Sequence, residues 1–236
     1  MKTIVHPHRS RGHANHGWLR TSHSFSFAQW HDPERMNFGA LRVLNDDCVV
    51  GGAGFGAHPH DNMEILSIPL SGALEHEDNM GNQTVIRQGE VQIMSAGTGV
   101  VHSEKNHNAT EEVHFLQIWV FPDRRNLSPT YGQIKVPSTE DSGDLPCIAS
   151  PDGSKGVRIH QNAWFYLGRM QKGGQHTHRM HGEGQGLYAM VLEGEAQIGG
   201  IGLGRRDAVG IWETPDLQID TSKDSQILLM EVPMRW

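Results

Sequence analysis

Cysteine, long apolar runs and clustered positive charge are all scarce in this sequence of 236 residues. The two cysteines, Cys48 and Cys147, match no metal-binding or redox spacing, so we expect reduced thiols that pack in the interior. No stretch approaches the roughly 18 apolar residues of a membrane-spanning helix. The 20 lysine and arginine residues are scattered and the net charge is −7. We therefore expect no membrane insertion and no direct binding of nucleic acid.

The first residues of the chain, Met1 to His8, return to polar side chains before the apolar segment of a secretion signal can form. This start predicts a protein that is not exported. We expect a cytoplasmic monomer.

Glycine is abundant, with 28 residues, and many of them stand at turn positions between short stretches of alternating polarity. This pattern predicts an all-β fold of short strands. The clearest strand is Val113 to Phe121. Two further strands are predicted at Ser24 to Phe27 and at Asn37 to Leu44, the second closed by a turn at Asn45-Asp46-Asp47.

The chain divides into two parts around a segment rich in proline, serine, aspartate and glycine between Pro122 and Gly156. That composition is typical of a connection between domains. The strands predicted after it follow the order of those in the first part, and Gln175-His176-Thr177-His178 resembles His58-Pro59-His60. We infer a diverged internal duplication.

Two pairs of potential metal ligands stand out in the first part, His58 with His60 and His102 with Glu104. Side chains two residues apart on a strand point to the same face, so two such pairs can converge on one ion. Three imidazoles and a carboxylate commonly hold a divalent transition metal with coordination positions left free. The alternative is that these are surface histidines in a chain that has 16 of them, but the second pair makes the metal site the better interpretation.

Other histidines are weaker candidates. Four near the N-terminus could be additional ligands, although we expect structural roles through hydrogen bonds: His13, His16, His23 and His31. In the second part, His176, His178 and His181 with Glu183 could bind an ion. However, His181 is the last histidine of the chain, so nothing there corresponds to His102 and Glu104. We expect no catalytic metal in the second part.

Several segments resemble known families. Gly52, His58, His60, Glu64 and Gly72 resemble the first cupin motif, and Gly97, Gly99, His102 and Asn106 resemble the end of the second. Longer segments resemble the pirin family, and within it the bacterial pirin-like quercetin 2,3-dioxygenases: residues 11–18 (RGHANHGW), 38–43 (FGALRV), 56–64 (GAHPHDNME) and 94–104 (MSAGTGVVHSE). The resemblance is specific over residues 10–125 and general over the remainder.

This resemblance implies a bicupin, with two double-stranded β-helix (jelly-roll) barrels in one chain. We expect an N-terminal cupin domain at residues 1–125, a linker at 126–155 and a C-terminal cupin-like domain without a functional metal at 156–236. It also implies a metal held by His58, His60, His102 and Glu104. The expected ion is Fe2+, with Zn, Cu, Ni, Co or Mn as alternatives, because many divalent metals compete for such ligands.

The resemblance further implies cleavage of a flavonol such as quercetin by dioxygen, with release of carbon monoxide. Four protein ligands would leave two positions of a six-coordinate metal for substrate and dioxygen. A base must remove the proton of the flavonol 3-hydroxyl; Glu104 is the first candidate and Glu64 the second. Glu64 is otherwise expected to orient a ligand histidine.

Pirins are also described as metal-dependent regulators that bind partner proteins without turnover. On that alternative the ion acts as a conformational or redox sensor. An exposed partner surface would favour this function, and sequence alone does not reveal one.

Overall fold

A computed structural model describes residues 1–137 and 145–236. The described residues form 22 strands and a single turn of 3-10 helix at His8–Ser10. The strands of the first part are β1 (Lys2–His6), β2 (Gly12–Asn15), β3 (Leu19–His23), β4 (Leu41–Val49), β5 (Gly54–His60), β6 (Glu64–Ser71), β7 (Ala73–Asp78), β8 (Gln83–Arg87), β9 (Glu90–Ser95), β10 (Val100–Asn106), β11 (Val113–Val120) and β12 (Thr130–Lys135). Those of the second part are β13 (Cys147–Ser150), β14 (Val157–Arg158), β15 (Trp164–Met170), β16 (Gln175–Arg179), β17 (Gln185–Glu193), β18 (Ala196–Ile198), β19 (Ile201–Leu203), β20 (Ala208–Trp212), β21 (Asp216–Thr221) and β22 (Ser225–Pro233). The all-β prediction is confirmed. No helix in the described ranges is long and apolar enough to cross a membrane.

The strands build two sandwiches, each made of a seven-stranded and a four-stranded sheet. In the N-terminal sandwich the sheet orders are β12-β9-β6-β11-β4-β3-β2 and β5-β10-β7-β8. In the C-terminal sandwich they are β1-β20-β17-β22-β15-β13-β14 and β16-β21-β18-β19. Among the described strands, every pair is antiparallel except β13 with β14. This is the two-barrel architecture that the resemblance implied.

The expected domain boundaries do not coincide with the first and last strands of the two sandwiches. Strand β1, from the first residues of the chain, pairs with β20 in the C-terminal sandwich, with Lys2 opposite Trp212 and His6 opposite Ala208. Within the expected linker, β12 extends the N-terminal sheet at β9, whereas β13 belongs to the C-terminal sheet. Residues 138–144 of that linker lie outside the described residues. Strand β1 pairs with β20 and strand β12 pairs with β9, and each forms one edge of its seven-stranded sheet.

A shared hydrophobic core joins the two sandwiches. One cluster of buried residues includes Leu116 and Ile118 from β11 together with Tyr188 from β17 and Met230 from β22. Apolar side chains of both seven-stranded sheets are therefore buried in a single cluster. Separate cores fill the interior of each sandwich. Because the shared cluster contains side chains of both sandwiches, the two halves pack directly against each other.

Two predicted local elements are wrong. The Asn45-Asp46-Asp47 segment is not a turn but lies within β4, and Ser24 to Phe27 is not a strand, since Phe27 only forms an isolated bridge with Trp30. Polar residues can occupy β4 because they face a cavity or buried ion pairs instead of an apolar core. Cys48 and Cys147 are free thiols, as expected, but only partly buried.

Candidate metal centre and its cavity

The predicted ligands lie on two neighbouring antiparallel strands of the small N-terminal sheet. His58 and His60 are on β5 and His102 is on β10, where His102 pairs directly with His58 and Val100 pairs with His60. The ring nitrogens of these three histidines that can bind a metal lie within 4.8 Å of one another. The pleat of the strands therefore brings the three imidazoles together, as their spacing predicted.

Glu104 stands beside this group, displaced by an irregularity in the pairing. The register between β10 and β5 shifts between His102 and Glu104, so Glu104 pairs with Phe55. On its other side it pairs with His76 of β7. Ligand atoms of Glu104, His102 and His76 form a second group within 4.8 Å. His102 thus belongs to both groups and connects the carboxylate with the other two histidines.

Hydrogen bonds at the ring Nδ1 atoms leave Nε2 of two histidines free to bind an ion. His58 Nδ1 lies 2.7 Å from the carbonyl oxygen of Gly56, to which it can only donate. His102 Nδ1 lies 3.4 Å from Nδ1 of His76, and its Nε2 is buried with no hydrogen-bond partner. A buried, unpaired imidazole nitrogen next to two further imidazoles fits a bound metal ion.

His76 and Asp78 were not identified as part of the site from the sequence. His76 is fully buried, and its Nε2 lies 2.9 Å from Oδ2 of Asp78. The spacing His76-Glu77-Asp78 places both side chains on one strand face, which is the signal that could have found them. An isolated His-x-Asp is too common to single out without knowing that β7 lies next to β10.

The Glu104 carboxylate is buried and held by two neutral donors. Ser67 donates to Oε1 and Gln117 donates to Oε2, each at 2.7 Å. Burial raises the pKa of Glu104, and these two hydrogen bonds act in the opposite direction. The carboxylate is therefore fixed in orientation beside His102 before any ligand binds.

His60 and His102 are neutral near pH 7. Burial, followed by the neighbouring His58, lowers the pKa of His60 to about 4. Burial and the neighbouring imidazoles lower the pKa of His102 to about 3. Because only the neutral imidazole has a free lone pair, both groups are in the form that binds metals.

A cavity of about 410 Å³ opens beside the histidines. Its lining includes His58, His60, Glu104 and Gln117. Four large aromatic side chains form much of the rest: Trp18, Phe27, Phe55 and Trp119. Trp119 contacts the His60 ring edge to face, with the ring centroids 4.8 Å apart. This volume lies within the range of about 300–1,000 Å³ that is usual for small-molecule sites.

Two of the histidines near the N-terminus line this cavity, and His13 does not. His16 and His23 line it, and Nδ1 of His23 lies 2.8 Å from Oδ1 of Asn45. His13 contacts the hydroxyl of Ser22 instead.

Glu64 lies elsewhere. Its Oε1 accepts a hydrogen bond from Ser95 at 2.6 Å, and its Oε2 accepts one from the backbone N–H of His160 at 3.0 Å. Glu64 does not line the cavity. The expectation that it orients a ligand histidine is wrong, because the carboxylate ties β6 to β9 and to the second part of the chain. Because Glu64 does not line the cavity, it is not placed to act as the base.

The histidines of the C-terminal sandwich are arranged around a different carboxylate from the one expected. His178 Nε2 and His181 Nδ1 lie 2.8 and 3.0 Å from Oε2 of Glu231, whereas Glu183 is exposed. Among the described residues, both groups of ligand atoms close enough to share an ion belong to the N-terminal sandwich.

Comparison with known proteins gives matches along both parts of the chain. A family model described as Pirin matches residues 4–120, and one described as Quercetinase C-terminal cupin domain matches residues 147–232. The chain is 41% identical to a protein named quercetin 2,3-dioxygenase from Escherichia coli strain K12, over 94% of this chain and 95% of that protein. It is 36% identical to a pirin-like protein from Caulobacter vibrioides, over 95% and 97% of the two chains. A solved structure of the bacterial pirin YhhW in complex with nickel(II) from Escherichia coli superposes with a TM-score of 0.93 at 39% identity, covering 98% of this chain and 99% of that one.

Proposed function

The chain belongs to the pirin family, as its motifs predicted, and from this we propose that it is a metal-dependent dioxygenase that cleaves flavonols of the quercetin type. The observation that carries the proposal is the position of His58, His60 and His102. Their ligand atoms lie within 4.8 Å of one another, and two of the three rings line a cavity with aromatic walls. That combination suits a flat aromatic substrate with a metal-binding edge.

We assign the metal to His58, His60 and His102, with Glu104 as the fourth ligand. A bound divalent ion would supply Lewis-acid stabilisation of a deprotonated flavonol hydroxyl and a place for dioxygen to meet the substrate. Fe2+ is our proposal for the native ion. The nickel(II) bound by the related YhhW agrees with a site that accepts several divalent metals.

The residues of the chain supply orientation, exclusion of water and a proton acceptor. Trp18, Phe55 and Trp119 can stack against the ring system and keep water away from it. Glu104, which lines the same cavity, is our candidate for the group that accepts the proton of the flavonol 3-hydroxyl. In the overall reaction one flavonol and one dioxygen give one depside and one carbon monoxide, so no further reductant or oxidant is needed.

The proposal is tested by turnover after anaerobic reconstitution with Fe2+. Quercetin is then added in air, and the loss of its absorption band and the release of carbon monoxide are followed. We expect both in the wild type and neither in His60→Ala. His107→Ala, which removes an exposed histidine paired with Glu75, is the matched control and should retain full activity. No turnover with any divalent metal would overturn the dioxygenase and favour a metal-sensing regulator that binds partner proteins.

The assignment of Glu104 as the base has its own test. Glu104→Gln keeps the shape of the side chain but cannot accept the proton. We expect a large loss of turnover in protein whose metal content has been matched to that of the wild type. Full turnover in that protein would remove Glu104 from the role.

A further inference from the structure

The cavity has a second polar surface, on a different sheet from the proposed metal ligands. His58 and His60 belong to the four-stranded sheet, whereas Asn45 and Asp47 of β4 and Gln117 of β11 belong to the seven-stranded sheet. All five side chains line the same cavity. A substrate bound at the histidines therefore also meets this polar surface.

Two acceptor atoms on this surface lack partners. Asp47 is only 4% exposed, and its Oδ1 has no hydrogen-bond partner. Gln117 donates through Nε2 to Glu104, while its own Oε1 is buried and unpaired. Buried polar atoms in folded proteins are nearly always paired, so two unpaired acceptors at one cavity indicate a ligand that brings donors.

Both unpaired atoms are oxygens, which narrows the chemistry of that ligand. A hydroxyl group can donate to an oxygen acceptor, whereas an ether, a ketone or a bare ring edge cannot. Trp18 and Phe55 contact each other edge to face, with ring centroids 5.1 Å apart, and both line the cavity. This aromatic lining favours a ring system as the carrier of those hydroxyls.

We propose that Asp47 and Gln117 form a hydroxyl-recognition subsite, so that the cavity selects ring systems with hydroxyl groups beyond the edge that binds the metal. This inference rests on the proposed function and specifies its substrate class as polyhydroxylated flavonols. Asp47 is the residue on which the subsite is tested, because Gln117 also holds Glu104.

The test is calorimetric titration of metal-loaded protein in the absence of dioxygen, with quercetin and with 3-hydroxyflavone. Both probes have the same 3-hydroxy-4-keto edge, but 3-hydroxyflavone has no other hydroxyl. We expect Asp47→Ala to weaken quercetin binding about tenfold and 3-hydroxyflavone binding less than about twofold, which corresponds to the loss of one or two hydrogen bonds. Asp47→Asn, which keeps the volume of the side chain and an acceptor oxygen, is titrated alongside and should retain more of the quercetin affinity than Asp47→Ala. Asp216→Ala, an exposed carboxylate of β21, should change neither.

Equal weakening for both probes, or no weakening for quercetin, would overturn the subsite and leave the proposed dioxygenase intact. Failure of the wild type to bind either probe would overturn the proposed function, and the subsite with it. Metal content is measured in every variant, so that lost metal is not mistaken for a lost hydroxyl contact.

Discussion

His102 and His76 meet through their Nδ1 atoms, 3.4 Å apart, in the interior of the N-terminal sandwich. Asp78 fixes which of them donates. Its carboxylate also accepts hydrogen bonds from the backbone N–H groups of Met80 and Asn82, and its pKa is lowered, so it acts only as an acceptor. A neutral His76 then donates from Nε2 to Asp78 and accepts at Nδ1 from His102. The remaining nitrogen of His102, Nε2, is left with its lone pair free.

We predict that His76→Ala weakens metal binding by about 10- to 100-fold, the range usual for residues that orient a ligand histidine. The variant leaves His102 free to rotate or to adopt the other tautomer. Metal affinity is measured by competition with a chromogenic chelator, and the Co2+-loaded absorption spectrum reports the ligand geometry. His76→Gln, which can still accept from His102, should recover part of the affinity.

The control for this prediction is His107→Ala, which removes a histidine that follows β10 and contacts Glu75 of β7 at the surface. It should bind metal as the wild type does. Unchanged affinity and an unchanged Co2+ spectrum in His76→Ala would show that His76 only fills space.

Asp46 is a largely buried carboxylate, with 9% of its side chain exposed, that connects distant parts of the chain. Its Oδ2 lies 3.3 Å from Arg11 and 3.6 Å from Arg206, and Oδ1 bonds to His114. The two arginines are 4% and 3% exposed. Removing one partner of such a group leaves buried charge unpaired and costs about 3–5 kcal/mol. We predict that loss in the free energy of unfolding of Asp46→Ala, measured with urea.

The same group gives a pH dependence. Burial raises the pKa of Asp46, but the hydrogen bond from His114 and the charges of Arg206 and Arg11 outweigh it, so the pKa is well below its usual range. A lowered carboxylate pKa stabilises the fold above the unfolded value of about 3.9 and loses that contribution as pH falls. Between about pH 6 and pH 3 the wild type should therefore lose more stability than Asp46→Asn. Glu112→Gln, which breaks an exposed ion pair with Arg20, should follow the wild type.

Much of the site could be predicted because its residues follow strand periodicity. His58 with His60 and His102 with Glu104 are two residues apart, and alternation alone places each pair on one face. The pairing of β5 with β10 then brings His58 and His102 opposite each other. Strand alternation does not predict the register shift before Glu104, because an irregular pairing depends on both strands.

Other features could not be predicted because they depend on distant packing. Asn45-Asp46-Asp47 has the composition of a turn, and only the cavity and the buried arginines explain why it lies in β4. Glu64 shares a strand face with His58 and His60 in the sequence pattern, yet a new strand begins at Glu64 and the carboxylate turns to His160. Strand β1 pairs with β20 in the C-terminal sandwich, and the paired residues are more than 200 positions apart in the sequence. No local sequence pattern reveals such a pairing.

Ionisation of the Asp47 carboxyl should lower the stability of the folded protein as pH rises. Its pKa is raised to about 7, mainly by burial, so the folded state binds a proton more tightly than the unfolded state does. Stability is therefore lost as pH rises from about 4 towards and beyond 7. We predict that Asp47→Asn, which stays neutral, is more stable than the wild type at about pH 8, by at most about 4 kcal/mol, and similar to it at about pH 4. Thermal unfolding at the two pH values measures this, and a wild type that gains on the variant as pH rises would contradict the raised pKa.

The last prediction concerns the number of metal ions in the chain. In the C-terminal sandwich Glu231 accepts from the ring of His178 and from both the backbone and the ring of His181, so its oxygens are committed to hydrogen bonds within the protein. Elemental analysis of protein purified without a chelating tag should therefore give a single transition metal ion per chain. His60→Ala should lose that ion, because one of the three clustered imidazoles is gone. His178→Ala should keep it and instead lower the unfolding temperature, because Glu231 stays buried with one partner fewer. A second ion per chain that disappears in His178→Ala would place a metal site in the C-terminal sandwich and contradict the structural role of Glu231.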